Sequence, residues 1–247
     1  MRWLLLILCL ALPARAEDVV LGLSRDTVSI STRFDGSDIL IYGAVKRDSP
    51  PPETAPLQVV VTVAGPQQPL TVRRKDKRFG IWVNTDAVEI DEAPSFYAVA
   101  TSAPWTETIS ATEDLRHSVS IPRAIRAVGT EVPDSKAFTE ALIRIRKANG
   151  LYQLHEGAVD LREDTLFSTA ITMPANLTEG VYPTRILLTR DGQVVSRFQT
   201  EIDVRKVGLE RWLFTLSREQ PLLYGLMSLA IAIAAGWGAS TAFRLIR

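Results

Sequence analysis

Thiols and imidazoles are almost missing from this 247-residue chain, which holds one cysteine, Cys9, and two histidines, His117 and His155. A lone cysteine excludes an internal disulfide framework, and two histidines far apart in unlike settings are a poor basis for a Cys/His metal site. Net charge is missing too, since 28 Lys and Arg balance 28 Asp and Glu. That balance argues against a nucleic-acid partner, whose binding domain carries a basic excess. With 46% apolar and 23% charged residues, wholesale disorder is excluded as well. There is no Gly-x-Ser-x-Gly elbow, no thiol beside a base, no phosphate loop and no dinucleotide fingerprint. No catalytic residue, cofactor or metal ligand is therefore nominated, and the chain is read as not an enzyme. Asp35 and Asp38 around Gly36-Ser37 could ligate calcium but read as a plain turn, and the acidic run Asp86, Glu89, Asp91 and Glu92 has the same status.

Both ends of the chain are apolar. Met1-Arg2, the run Trp3 to Leu12 and Pro13-Ala14-Arg15-Ala16 supply the basic start, short apolar core and Ala-x-Ala end of a secretory signal. Residues 1–16 are expected to be removed, and Cys9 with them. At the other end, Pro221 to Phe243 is 23 residues without a charge. As a helix it measures about 34 Å, enough to cross a core of roughly 30 Å. Trp212 and Tyr224 near one edge and Trp237 towards the other suit interfacial aromatic belts. Export of the N-terminal part leaves residues 244–247 as a cytoplasmic tail. Setting aside Arg2, Arg15, Arg244 and Arg247 leaves 24 basic against 28 acidic residues, a formal −4 for the exported part.

Between the ends the pattern is mainly β. Asp18–Leu23, Thr27–Ser31, Asp38–Val45 and Leu57–Ala64 read as strands, with shorter runs at Leu70–Arg74, Phe79–Val83 and Ser95–Thr101. They are bounded by Gly, Pro and Asp clusters, as in an antiparallel sandwich. Trp105 to Pro133 has no clear period. Ser135–Ala148 is an amphipathic helix with Phe138, Ala141, Leu142 and Ile145 on its apolar face, Asp134 able to cap it, Gly150 able to end it, and Glu140 and Arg144 spaced to pair. Strands return at Leu166–Thr172, Tyr182–Thr189 and Gln193–Val204, the last two flanking Asp191-Gly192, a strong hairpin signal. Gly180-Val-Tyr182 is similar to the tyrosine corner of immunoglobulin-like domains. The expected architecture is an immunoglobulin-like β-sandwich over 17–113 and a second β-rich domain over 114–205 containing helix 135–148. The alternative is that the second segment completes the first sheet. A juxtamembrane segment, 206–220, puts Leu209, Trp212, Leu213 and Leu216 on one helical face, either lying in the membrane interface or extending the membrane helix.

Two features go beyond a plain anchored body. Arg73, Arg74, Lys75, Lys77 and Arg78 crowd one strand turn, ahead of Phe79-Gly80-Ile81-Trp82, and could attract anionic headgroups or hold an oxyanion. Within the apolar segment, Ser228, Ala232, Gly236 and Ser240 recur every four residues. Such a small-residue face lets another helix approach closely, whether a partner's or a second copy's.

Gly80-Ile-Trp-Val-Asn84, Ala93-Pro-Ser-Phe-Tyr97 and the tail from Val207-Gly-Leu-Glu-Arg-Trp-Leu-Phe through Gln220-Pro-Leu-Leu-Tyr-Gly225 to Ala235-Gly-Trp237 resemble the alphaproteobacterial putative transmembrane protein family. The resemblance implies a single-pass protein of a Gram-negative inner membrane with its body in the periplasm. Genes of that family often neighbour permeases of the sulfite-exporter type, which implies an integral membrane partner of that kind. The expected function is a non-enzymatic periplasmic accessory protein beside a permease for small oxyanions. The alternative is a module that itself binds or senses an anion or an envelope component.

Overall fold

The computed structural model describes residues 18–24, 26–30, 36–46, 56–127, 135–206 and 209–245. The expected signal segment, Asp35, Asp134 and the end of the tail lie outside these. The chain divides into two compact units, one formed by 1–28 and 35–204, the other by 29–34 and 205–247.

The first unit is β-rich, with two larger sheets and one long hairpin. Strands β1 (Asp18–Leu23), β3 (Ser37–Lys46), β10 (Leu166–Met173) and β9 (Asp160–Arg162) make a four-stranded sheet in the order β1-β3-β10-β9. Period-two alternation in β3 turns Ile39, Ile41 and Val45 inward and leaves Leu40 and Tyr42 exposed. Strands β2 (Thr27–Ile30), β12 (Gln193–Lys206), β11 (Gly180–Arg190), β4 (Gln58–Ala64), β7 (Tyr97–Thr101) and β8 (Tyr152–His155) make the larger sheet, in that order. Here β4 is central, pairing Val60 with Leu187 on one side and with Thr101 on the other. Its run of valines is buried on both faces, which is why it reads as continuously apolar instead of alternating. Each such side chain contributes about 1.5–3 kcal/mol through burial.

Strands from 17–113 and from 114–205 pair with one another throughout: β3 with β10, β4 with β11, and β7 with β8. A boundary at 113/114 would cut both sheets, and the second segment instead completes sheets begun by the first. The β7–β8 pair is parallel. Sequence patterning predicts strands well and their long-range partners poorly, because any alternating strand can pair with any other of matching face.

The aperiodic stretch from Trp105 contains two short helices, α1 (Trp105–Thr108) and α2 (Ala111–His117). Four and seven residues are too few to show a helical period, and capping defines them instead. Ser110 accepts the Glu113 N–H at 3.3 Å, and Ser118, in left-handed conformation, ends α2. The expected helix is α3 (Ser135–Ala148). It ends in a Schellman motif at Gly150 (φ +69°), with Gly150 N–H donating to Lys147 O (3.0 Å) and Leu151 N–H to Arg146 O (2.9 Å). Its buried face is Phe138 and Leu142 as expected, but Ile145 stays 52% exposed. Arg146 turns in instead, donating to Ser95 O at 3.2 Å. Glu140 pairs with Lys136 (3.9 Å), not with Arg144.

The tyrosine corner is made. Tyr182, fully buried, donates its hydroxyl to Thr178 O at 2.6 Å, and its ring lies 6.1 Å from that of Phe96. This ties the Pro174–Glu179 loop to the entry of β11.

The second unit contains two helices, α4 (Leu209–Glu219) and α5 (Pro221–Leu245). They meet at Gln220, whose N–H donates to Leu216 O (3.0 Å) and whose carbonyl accepts from Tyr224 (3.1 Å). These two bonds bracket the junction: one closes α4 and the other opens α5. The interruption falls at Pro221, which has no N–H to give and suits a first helical position. The juxtamembrane segment is thus helical, and it meets the start of α5 at Gln220.

Candidate functional site

Strands β5 (Gln67–Arg78) and β6 (Ile81–Pro94) form a two-stranded hairpin far longer than the short runs expected from sequence. Its charged half has low strand propensity, which hid the strands there. Its base is anchored: Val88 and Ile90 are buried, opposite Val72 and Leu70. Helix α3 lies against β5, and the Arg74 guanidinium sits 4.6 Å above the Phe138 ring. Arg74 also faces Asp86 at 4.0 Å. Of the five cations grouped by sequence, Arg74 therefore belongs to the packing of the base.

Past Arg74 an extra residue, Thr85, bulges from β6, so that Arg74 pairs with Asp86 but Lys75 with Asn84. Beyond the bulge the hairpin projects. Every residue from Lys75 to Asn84 is exposed except half-buried Val83. Four residue steps at about 3.4 Å carry the tip roughly 14 Å past the bulge. Arg73, Lys75 and Lys77 share one face by alternation, and Arg78 lies on the other. The turn is Phe79-Gly80, with φ of +50° and +85°. Both positive angles are those of a type I′ turn, which favours Asn at the first position and Gly at the second. Phe79 is a poor fit to that conformation, and it is fully exposed at 106%. Ile81 and Trp82 beside it are 64% and 69% exposed. The apolar tip was visible in the sequence only as letters following a charge run; the turn geometry that places all three at one end was not.

A second charged feature emerges only in three dimensions. A cleft of about 510 Å³ is lined by Arg123, Arg126 and Arg185, with Glu92 and Tyr97. Arg185 is a brace within it. Its Nη1 donates to His117 O (2.9 Å), Nη2 to Ser118 O and the Tyr97 hydroxyl (each 3.2 Å), and Nε to Thr62 Oγ1 (3.3 Å). The Tyr97 hydroxyl in turn donates a hydrogen bond to Val119 O at 2.7 Å. The loop after α2 is thereby fixed to β4, β7 and β11. Burial is the main reason the Tyr97 phenol is pushed above its ordinary range, with the Arg185 charge opposing. Replacing Arg185 by Met removes charge-assisted bonds to two carbonyls and should cost about 2–3 kcal/mol. Urea unfolding measures this, and a loss under 0.5 kcal/mol would show that the brace is idle.

The histidines stand apart. His117 Nε2 is 3.3 Å from Glu113 Oε2 beside the α2 cap, and His155, exposed, contacts Gln153 at 3.0 Å. Among the described residues no group of three or more Asp, Glu, His or Cys is placed to hold a metal. Asp86 to Glu92 lie along β6, within the hairpin.

Ser228, Ala232, Gly236 and Ser240 all fall on α5, where their spacing places them on one face, uncovered by protein. Pro221–Thr241 is a 21-residue span, none of it buried within the described chain, and is long and apolar enough to cross a membrane. A family model described as "Putative transmembrane protein", alphaproteobacterial by name, matches residues 18–245. The chain belongs to this family. No curated protein matches it. The match takes in the β-rich unit, the basic hairpin and both C-terminal helices, so these are parts of one family architecture. The family description names no activity.

Proposed function

We propose that this family member is a non-enzymatic, single-pass accessory protein of the bacterial inner membrane. In this reading residues 17–220 are exported to the periplasm, α5 spans the bilayer, and the last residues are cytoplasmic. The observation that carries it is α5 itself, whose uncharged Pro221–Thr241 span has membrane-spanning length and no cover from the described residues. Hydrocarbon is the solvent such a helix fits. Its small-residue face suits close approach by a second helix, from an integral membrane partner or from another copy. The partner class we propose, following the family resemblance, is a permease for small oxyanions.

Crosslinking in intact membranes followed by purification of the full chain should recover an integral membrane protein. Ala232→Leu with Gly236→Leu should abolish the crosslink while leaving the protein in the membrane, because added side-chain bulk separates helix backbones. Unchanged crosslinking in the double variant, or recovery of the chain alone and uncrosslinked, would leave α5 a simple anchor. The alternative, a body that itself recognises an anion or envelope component, is favoured by the projecting cationic hairpin.

A further inference from the structure

We infer that the β5–β6 hairpin is a membrane-docking arm, whose apolar tip enters the headgroup region of an anionic bilayer while its cations bind lipid phosphates. The proposal rests on the reading of α5 as a membrane span, because that span keeps a bilayer permanently at hand.

Three observations converge. The first is order along the arm. Phe79 lies at the turn; Ile81 pairs with Arg78 and Trp82 with Lys77; Lys75 follows two steps further back, and Arg73 lies behind the bulge. Apolar groups lead and cations trail, as an interfacial element requires. Aromatic side chains settle at headgroup depth, and long basic side chains reach phosphates while their stems lie along apolar surface. The second is reach. The roughly 14 Å of free hairpin exceeds the headgroup layer of one leaflet, about 5–8 Å thick. A Cβ built on Gly80 would meet nothing within 4 Å, so no part of the described chain covers the tip. The third is charge. Between Lys75 and Asn84 there are three cations and one carboxylate, on an exported chain whose overall formal charge is negative. An anionic surface thus attracts the arm and repels the rest, which orients the body.

Phe79 sharpens the argument. A positive φ at a fully exposed phenylalanine is a local cost with no packing in return. Asn is the residue that the turn prefers. Phe79→Asn should therefore stabilise the hairpin and weaken its membrane contact, a combination that a merely structural tip would not show.

The test uses the full chain with Cys9→Ser and Ile81→Cys, carrying an apolar environment-sensitive fluorophore, in nanodiscs of phosphatidylglycerol with phosphatidylethanolamine or of phosphatidylcholine alone. The expected result is a blue-shifted emission in anionic discs only. The shift should be lost when Arg73, Lys75, Lys77 and Arg78 are changed to Glu, and reduced by Phe79→Asn although that variant melts no lower. A label that stays water-exposed in anionic discs overturns the proposal. So does a shift equal in zwitterionic discs or indifferent to charge reversal, which would mark contact with protein. A parallel label at Ala234→Cys reports on α5 independently. Water exposure there defeats the anchor reading, while hydrocarbon exposure there with a wet Ile81 defeats the arm alone.

Discussion

A chain ending at Gln220 will leave the membrane, while the full chain will resist both high salt and alkaline carbonate extraction. The apolar segment that is lost includes Leu222, Leu223, Leu226, Leu229, Ile231 and Ile233. At 0.3–0.6 kcal/mol each, these six favour insertion by roughly 3 kcal/mol before smaller residues are counted. An aspartate at mid-span costs about 2.5–3.5 kcal/mol. Ile231→Asp together with Ile233→Asp near the middle of Pro221–Thr241 should therefore reverse the balance and reproduce the truncation. Any association that survives in the shortened chain should be peripheral and removed by salt, because exposed charges are screened within about 10 Å at 0.1 M. Carbonate-resistant retention of the double aspartate variant would sink the reading of α5 as the anchor.

The longer helices and most of the strands were legible because their determinants are local. Alternation in Asp38–Val45, the purity of Pro221–Phe243, the amphipathic period of Ser135–Ala148 and the Asp191-Gly192 turn each need only a few neighbouring residues. The Asp191-Gly192 turn has φ of +48° and +72°, the conformation its sequence favours. What failed was non-local. Nothing in Tyr152–His155 announces a parallel partner in β7, and the strand is too short to stand out. Ile145 and Arg146 are adjacent, and which of them turns inward depends on a carbonyl, Ser95 O, that lies 51 residues away. The candidate site divided in the same way. Charge density at Arg73 to Arg78 was plain, but the ring beneath Arg74 belongs to another element, and the projecting geometry depends on a one-residue bulge. Arg185 carried no sequence signal, since two of its four partners are backbone carbonyls, which have no letter, and the other two are hydroxyls on distant strands.

Alkali should unfold the β-rich body across a window set by buried phenols. Tyr152 is pushed up to about 12, first by burial, with the nearby Arg146 charge opposing, and its hydroxyl donates to Pro94 O at 2.8 Å. Tyr182 is raised by burial against the pull of its bond to the Thr178 backbone, and Tyr97 is raised by burial as well. Each raised value means that the folded chain holds its phenolic proton more tightly than the unfolded chain, which releases it near 10. The stabilisation is complete below pH 10 and drains away as pH climbs through the folded values. For Tyr152 alone the two-unit difference amounts to roughly 2–3 kcal/mol. Tyr97 and Tyr182 draw in the same direction. Urea midpoints should hold level up to about pH 10 and then fall steeply towards pH 12. Tyr152→Phe should begin lower, having lost the bond to Pro94, yet fall less steeply above pH 10 because one titrating group is gone. Parallel curves for the two proteins would mean that the Tyr152 proton takes no part in alkaline unfolding.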